Sequence, residues 1–211
     1  MTLAVVKLGG SSTFEPELRL WTEALAASGR PLVVVPGGGP FADQVRHAQK
    51  RIGFSDRAAH DMAILAMDQF GCILLDMSER FSPARTTDQI SRALDRDQIP
   101  VWLPSSMVIG RKDIAASWDV TSDSLASWLA GQLGAGALLL IKQTRDISGG
   151  DRLSDLAKRG IVDPMLGSTL PADIDLYIAG PKDVPTARGR LAAGSLPGVR
   201  IGLPASVEQS G

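Results

Sequence analysis

Cysteine is almost missing from this chain: Cys72 is the only one among 211 residues. No internal disulfide can form, so the fold must rest on an apolar core, and a reducing, cytoplasmic setting is expected. Histidine is nearly as scarce. His47 and His60 are the only two, and neither has a partner at metal-ligand spacing. Both are expected on the surface or in packing. Without a Cys/His cluster no zinc site is expected, nor a protein ligand set for any other metal. A nucleophile–His–acid set has no histidine to draw on. Neither sign of charge is in excess, since 22 basic and 23 acidic side chains leave a net charge of −1. That excludes a global basic surface for nucleic acid or an anionic membrane, so any site for polyanions must be built locally. No uninterrupted apolar run approaches the ~20 residues of a membrane span. The N-terminus runs straight into a strand pattern, without a signal peptide's apolar stretch and cleavage site. Two nucleotide-binding fingerprints are absent as well. No glycine run leads into Lys-Ser or Lys-Thr, and neither glycine turn fits Gly-x-Gly-x-x-Gly.

What is present is ordinary for one globular α/β domain: 44% hydrophobic and 21% charged residues. The stretch Leu3-Ala4-Val5-Val6-Lys7-Leu8 is an apolar run of the kind that forms a buried strand, broken only by Lys7. Gly9-Gly10-Ser11-Ser12 follows at once. Glycines let backbone approach a ligand closely, and exposed N–H groups beside an ammonium form a phosphate site. Alone, the stretch reads equally well as a buried strand, an ordinary turn and a lysine reaching out of the core. A second signal comes with Pro31-Leu32-Val33-Val34-Val35-Pro36, another buried strand, and Gly37-Gly38-Gly39-Pro40. Pro40 suits the first turn of a helix. Two glycine turns ending successive strands would lie side by side in a parallel sheet and share one anion or a transferring phosphoryl group. The pair is far more specific than either half.

These residues, with Thr121-Ser122-Asp123-Ser124-Leu125-Ala126 further on, resemble the amino acid kinase superfamily, whose members include acetylglutamate kinase, aspartokinase, uridylate kinase and isopentenyl phosphate kinase. The resemblance covers roughly residues 1–180. Within the superfamily it is strongest to the small furanylmethyl phosphate kinases of methanofuran-type cofactor synthesis. It implies a three-layer αβα sandwich with a mainly parallel central sheet. It also implies a single domain over residues 1–211, with an acceptor half at about 1–130 and a nucleotide half at about 131–205. By the same resemblance, ATP and Mg²⁺ are the cofactors, and Lys7, Asp123 and Lys142 are the catalytic residues. Asp123 would orient the two lysines. Gly9, Gly10, Ser11, Gly37, Gly38, Gly39 and Asp119 would bind substrate or phosphate, and Lys142, Thr144, Arg145 and Asp146 the nucleotide. The segment Thr144-Arg145-Asp146-Ile147-Ser148-Gly149-Gly150 departs from the Thr-x-Val-Asp-Gly-Val-Tyr of many relatives.

Along the chain, a helix is expected over about 16–27, capped by Ser12 or Thr13 and carrying Leu18, Trp21 and Leu25. A second begins at Pro40, with Phe41, Val45 and Ala48 inward. Ser55-Asp56 caps a long helix reaching about residue 79, on which Met62, Ala66, Phe70, Ile73, Met77 and Phe81 recur at helical spacing. In the superfamily such a helix contributes to a dimer interface, which implies a homodimer or larger homo-oligomer. Asp56 and Arg57 stand where an acceptor pocket can form, or are a cap and a solvated charge. Ser82-Pro83 ends the helix, Thr86 or Thr87 caps a short one, and residues 100–103 form a strand. Residues 104–120 read as a functional loop, in which Trp118 either lines a pocket for a ring or anchors the loop. Thr121 or Ser122 then opens a helix with Asp123 in its first turn, where the macrodipole stabilises an anion. Residues 135–141 are a buried strand, and Lys142 leaves its C-terminal end, the end that faces the ligand crevice of a parallel sheet. Ile161-Val162-Asp163-Pro164 reads as a turn over the nucleotide base, residues 175–180 as the last core strand, and residues after about 204 as a tail.

No general base is obvious. A phosphate or carboxylate acceptor needs none, its oxygen being ionised at neutral pH. That chemistry favours making an acyl phosphate or a diphosphate over phosphorylating an alcohol, and the resemblance implies ATP-dependent phosphorylation of a small phosphate, a furanylmethyl phosphate first. A kinase for another small acid or monophosphate, or a non-catalytic nucleotide- or anion-binding protein, is the alternative.

Overall fold

The computed structural model describes residues 1–10 and 16–202. Ser11, the caps expected at Ser12 or Thr13, and the tail after residue 204 lie outside the described residues. Seven strands form one sheet: β1 (Ala4–Leu8), β2 (Leu32–Pro36), β3 (Phe81–Ala84), β4 (Ile99–Trp102), β5 (Ala137–Ile141), β6 (Asp175–Ala179) and β7 (Val199–Ile201). Their order is β3-β4-β2-β1-β5-β6-β7. Every neighbouring pair is parallel except β6 and β7. β1, β2 and β5 are buried along their whole length, which is why each reads as a continuous Val/Leu/Ile run rather than an alternating one.

Helices cover both faces. On one face α1 (Glu17–Ala26) packs against α9 (Val184–Ala192), over Val6, Leu8, Val34 and Leu139. On the other lie α4 (Thr87–Asp95) and α6 (Ser122–Gln132), over Val5, Val33, Val35, Leu138 and Leu140. The sandwich therefore has three layers. α2 (Gly39–Ile52) packs on α3 (Asp56–Asp76). Ile64 and Met67 of α3 join one core and Phe70 and Leu74 the other. By length and composition α3 is apolar enough to cross a bilayer, with a mean hydropathy of 1.3 over its most apolar stretch. Here it packs on the sheet instead. Gly71 makes that approach possible, since a Cβ there would stand 2.5 Å from Leu103 Cδ2. The remaining short helices are α5 (Ser105–Val108), α7 (Leu153–Lys158) and α8 (Leu166–Thr169).

Several expectations are corrected. α3 stops at Asp76, and Phe81, expected on its stripe, opens β3 instead. Pro83 hides this strand in the sequence, yet β3 is an edge strand that pairs only with β4, where a proline is tolerated. The inner stripe of α3 keeps Ala66 and Phe70 of the expected one but not Met62 or Ile73. Met62 and Ile73 are 41% and 36% exposed, while Ile64 and Leu74 are buried. Both sides of this helix carry apolar residues, so spacing alone leaves its rotation open. On α2 only Val45 of the expected inner residues is buried. The short antiparallel β7 was not expected.

Candidate active site

Strand register puts the two lysines on one face. Lys7 pairs with Leu140 across β1 and β5, and Lys142 follows Leu140 by two positions. Side chains two apart on a strand point the same way, so both ammonium groups rise on the face that α6 covers. Thr121 caps α6, and Asp123 sits in its first turn above the C-terminal ends of these strands. The three groups meet. Lys7 Nζ stands 3.0 Å from Asp123 Oδ1, an ion pair that falls outside hydrogen-bond geometry. Lys142 Nζ donates to Asp123 Oδ2 at 2.5 Å.

All of this is out of water: Lys7 is 6% exposed and Asp123 1%. Burial pushes the Asp123 carboxyl up, but the adjacent Lys7 and Lys142 charges overcome it and hold it at about 2. For Lys142, burial and then repulsion from Lys7 lower the ammonium to about 8, against Asp123 and Asp163, which raise it. The site thus carries a locked carboxylate and an ammonium near the edge of its charged range. An incoming polyanion would supply the negative charge that two buried lysines lack.

The two glycine turns abut beside this cluster. A Cβ on Gly10 would stand 2.1 Å from the Gly39 nitrogen, and one on Gly37 would stand 2.4 Å from the Gly10 nitrogen. Only glycine allows the turns to touch. Two of their amides are already used: Gly9 donates to the Ile141 carbonyl at 3.2 Å and Gly37 to the Leu8 carbonyl at 2.9 Å. They extend the sheet ladder past β1 and β2. Gly38 caps α2, with Gly39 at its first position, Pro40 next and no side-chain cap, so the N-terminus of a 14-residue helix stands at the cavity that Gly38 and Gly39 line.

Gly10, Gly38 and Gly39 form the polar edge of a cavity of about 270 Å³. Its floor is apolar, with Ile64, Met67, Val120 and Leu125. Trp118 forms a wall. Its Nε1 donates to Gln49 Oε1 at 2.7 Å, and the Arg46 guanidinium lies 4.3 Å from its ring centre. His60 also faces this cavity. Burial keeps its pKa below the usual imidazole range, against a backbone hydrogen bond with Ser117, so it is neutral at pH 7.

Of the residues expected here, Lys7, Asp123, Lys142, Gly9, Gly10, Gly37, Gly38 and Gly39 come together. Asp119 does not line the cavity; it is exposed, while its neighbours Trp118 and Val120 line the wall. Thr144 accepts from the Asp146 N–H at 3.3 Å, and the Arg145 and Asp146 side chains are exposed. Asp56 sits in the first turn of α3, where it accepts from Gln49 Nε2 at 2.7 Å. Sequence reasoning did not single out Arg46 or Gln49, left His60 to packing, and read Asp163 only as part of a turn over the nucleotide base. For Arg46 and His60 the available signal was position, on the two helices that follow the second glycine turn.

Residues 2–158 match the model of the amino acid kinase family. Over 127 residues the chain is 30% identical to [5-(aminomethyl)furan-3-yl]methyl phosphate kinase of Methanocaldococcus jannaschii. That match takes in 59% of this chain and spans 58% of the relative's length. Among solved structures, the uridylate kinase of Archaeoglobus fulgidus superposes with a TM-score of 0.62 at 16% identity, covering 96% of this chain and 100% of that one. The UMP kinase of Bacillus anthracis gives 0.65 at 16% identity, over 95% of each chain. At such identities these two share the fold. With its glycine turns, its lysine–aspartate cluster and a family match over most of its length, the chain belongs to the amino acid kinase family.

Proposed function

We propose that this protein transfers the γ-phosphoryl group of ATP to the phosphate of a small, flat acceptor, a furanylmethyl phosphate foremost, giving ADP and a diphosphate. One observation carries the reading: two lysines from adjacent strand ends converge on one buried carboxylate, beside abutting glycine turns. Phosphoryl transfer asks mainly for positioning and charge neutralisation. Lys7 and Lys142 neutralise charge on the group in flight, Asp123 holds them, and the N-terminus of α2 receives phosphate oxygens. The acceptor oxygen needs no base, because a phosphate monoester is ionised at neutral pH.

Among the described residues no three or more His, Cys, Asp or Glu side chains converge as a metal cage. Mg²⁺ would come in on the nucleotide, since the ion keeps much of its water and binds through phosphates. There it would spread the negative charge of the phosphates, which Lys7, Lys142 and the α2 amides hold from the protein side. The apolar floor and the Trp118 wall support a ring-bearing acceptor. The 30% identity to a furanylmethyl phosphate kinase supports the same class. The outward apolar stripe of α3, Met62, Leu65 and Ile73, supports assembly into a homodimer or larger ring.

The test is ADP release with ATP and Mg²⁺ against a panel: an aminomethylfuranylmethyl phosphate, its dephosphorylated alcohol, isopentenyl phosphate, UMP and acetylglutamate. Turnover with the furan phosphate alone is expected. Preference for the alcohol would overturn the phosphate acceptor. Silence across the panel with ATP still bound would leave a nucleotide-binding protein.

Two further outcomes are expected. kcat/KM for ATP should fall above about pH 8 with a single deprotonation, as Lys142 loses its charge. In kcat, read at saturating ATP, the corresponding limb should lie at higher pH, because bound phosphates favour the ammonium. A flat profile to pH 9.5 would count against Lys142. Trp118→Ala should raise the acceptor KM roughly tenfold and leave the ATP KM unchanged. Equal shifts in both would remove Trp118 from the acceptor site.

A further inference from the structure

Asp163 lies in the turn between α7 and α8 and is 7% exposed. Its side chain faces inward, onto the first turn of α6. Oδ2 accepts from the Thr121 N–H at 3.0 Å, the Thr121 hydroxyl at 2.9 Å and the Ser124 N–H at 3.0 Å. Oδ1 accepts the Ser124 hydroxyl. Its own N–H donates to Asp123 Oδ2 at 3.3 Å, the oxygen that also receives Lys142. Capping a helix asks for one side-chain acceptor, and Thr121 already offers its hydroxyl to the Asp123 N–H at 3.5 Å. Four bonds from a distant, buried carboxylate fix the residues on either side of Asp123 as well.

From this geometry we infer that Asp163 is the positioning residue of the catalytic carboxylate, clamping the start of α6 so that Asp123 is held between Lys7 and Lys142. The inference rests on the phosphoryl-transfer reading of the site. Asp163 also joins two compartments. Thr121, which it holds, walls the acceptor cavity, while Pro164 beside it walls a second cavity of about 950 Å³ along α7 and α8. Whatever displaces the turn at Asp163 displaces Asp123. Among the described residues, the charged groups facing Lys142 are Lys7 from β1, Asp123 from α6 and Asp163 from this turn. The Asp163 charge favours the Lys142 ammonium, so removing it should make Lys142 deprotonate at lower pH.

The experiment compares Asp163→Asn and Asp163→Glu with the unsubstituted protein. For Asp163→Asn, kcat should fall roughly 100-fold with the ATP KM little changed, as expected when reacting groups shift by about an ångström. The alkaline limb of kcat/KM should also move to lower pH. Asp163→Glu keeps the charge but misplaces the clamp, so kcat should fall while the limb stays. If Asp163→Asn does not fold, Asp163→Glu decides by its kcat. A folded variant of either kind within about twofold of the unsubstituted kcat overturns the inference. So does a lower kcat in Asp163→Asn with an unmoved limb, which is what a merely structural role gives. If the unsubstituted protein releases no ADP, the proposed function fails separately. The inference is then read without turnover, by acetic anhydride labelling of Lys142 across pH. A midpoint lower in Asp163→Asn supports it, and equal midpoints overturn it.

Discussion

Asp123→Asn should lower kcat by roughly 10³-fold, and Lys7→Ala by 10²–10³-fold, in the ADP-release assay. The two substitutions differ in what they do to the fold. Removing Lys7 takes away one charge from the group in flight and leaves Asp123 paired with Lys142. Removing the Asp123 charge leaves two ammonium groups facing each other out of water, with side chains 7% and 15% exposed. Breaking a buried pair by deleting one partner destabilises by about 3–5 kcal/mol, which a urea unfolding midpoint at pH 7 would read. The sign of its pH dependence follows from Lys142. Its ammonium sits at about 8 with Asp123 present, and lower once that carboxylate is gone. The excess instability of Asp123→Asn should therefore shrink as pH rises and Lys142 gives up its proton. A folded Asp123→Asn with near-normal kcat would sink the proposed mechanism. Lys7→Ala that loses turnover but still binds ATP would exclude a protein whose task is binding alone.

Gly10→Ala carries the second large effect. The added methyl would lie 2.1 Å from the Gly39 nitrogen and 2.3 Å from its Cα. Both are backbone atoms at the start of α2, with no flexible side chain to swing away. The turns must part, and the substitution should destabilise by about 3 kcal/mol or more and remove measurable ADP release. Gly189→Ala is the matched control. It lies inside α9 with nothing within 4 Å of its Cβ position, so the same chemical change should stabilise by up to about 1 kcal/mol. Equal effects at the two glycines would mean that abutment is not what Gly10 provides.

The family resemblance singled out the residues that carry the first effect, and local pattern added where each stands in a parallel sheet: Lys7 near the end of a strand, Lys142 just after one and Asp123 in the first turn of a helix. Gly10 and Gly37 advertise a close approach by having no side chain. Asp163 gave no such signal, because its partners lie 39 and 42 residues away in the chain. A hydrogen bond of that span leaves no periodicity to read. Asp119 and Trp118 show the opposite failure. Adjacent residues in an irregular loop turned opposite ways, and only the tryptophan reached the cavity wall. Rotation of α3 and the existence of β3 were lost similarly, one to apolar residues on both helix faces and the other to Pro83.

The central place of β1 has a consequence for how the protein is made. Val5 pairs with Val33 on one side and with Leu138 on the other. The second partner follows it by 133 residues. At translation rates of ~5–20 residues per second, β1 waits roughly 7–27 s for β5 to exist. Through that interval a strand that is apolar but for Lys7 has one edge and one face without their native cover. Yield in the cell should therefore depend on whatever shields nascent chains, and slower synthesis should lengthen the exposure.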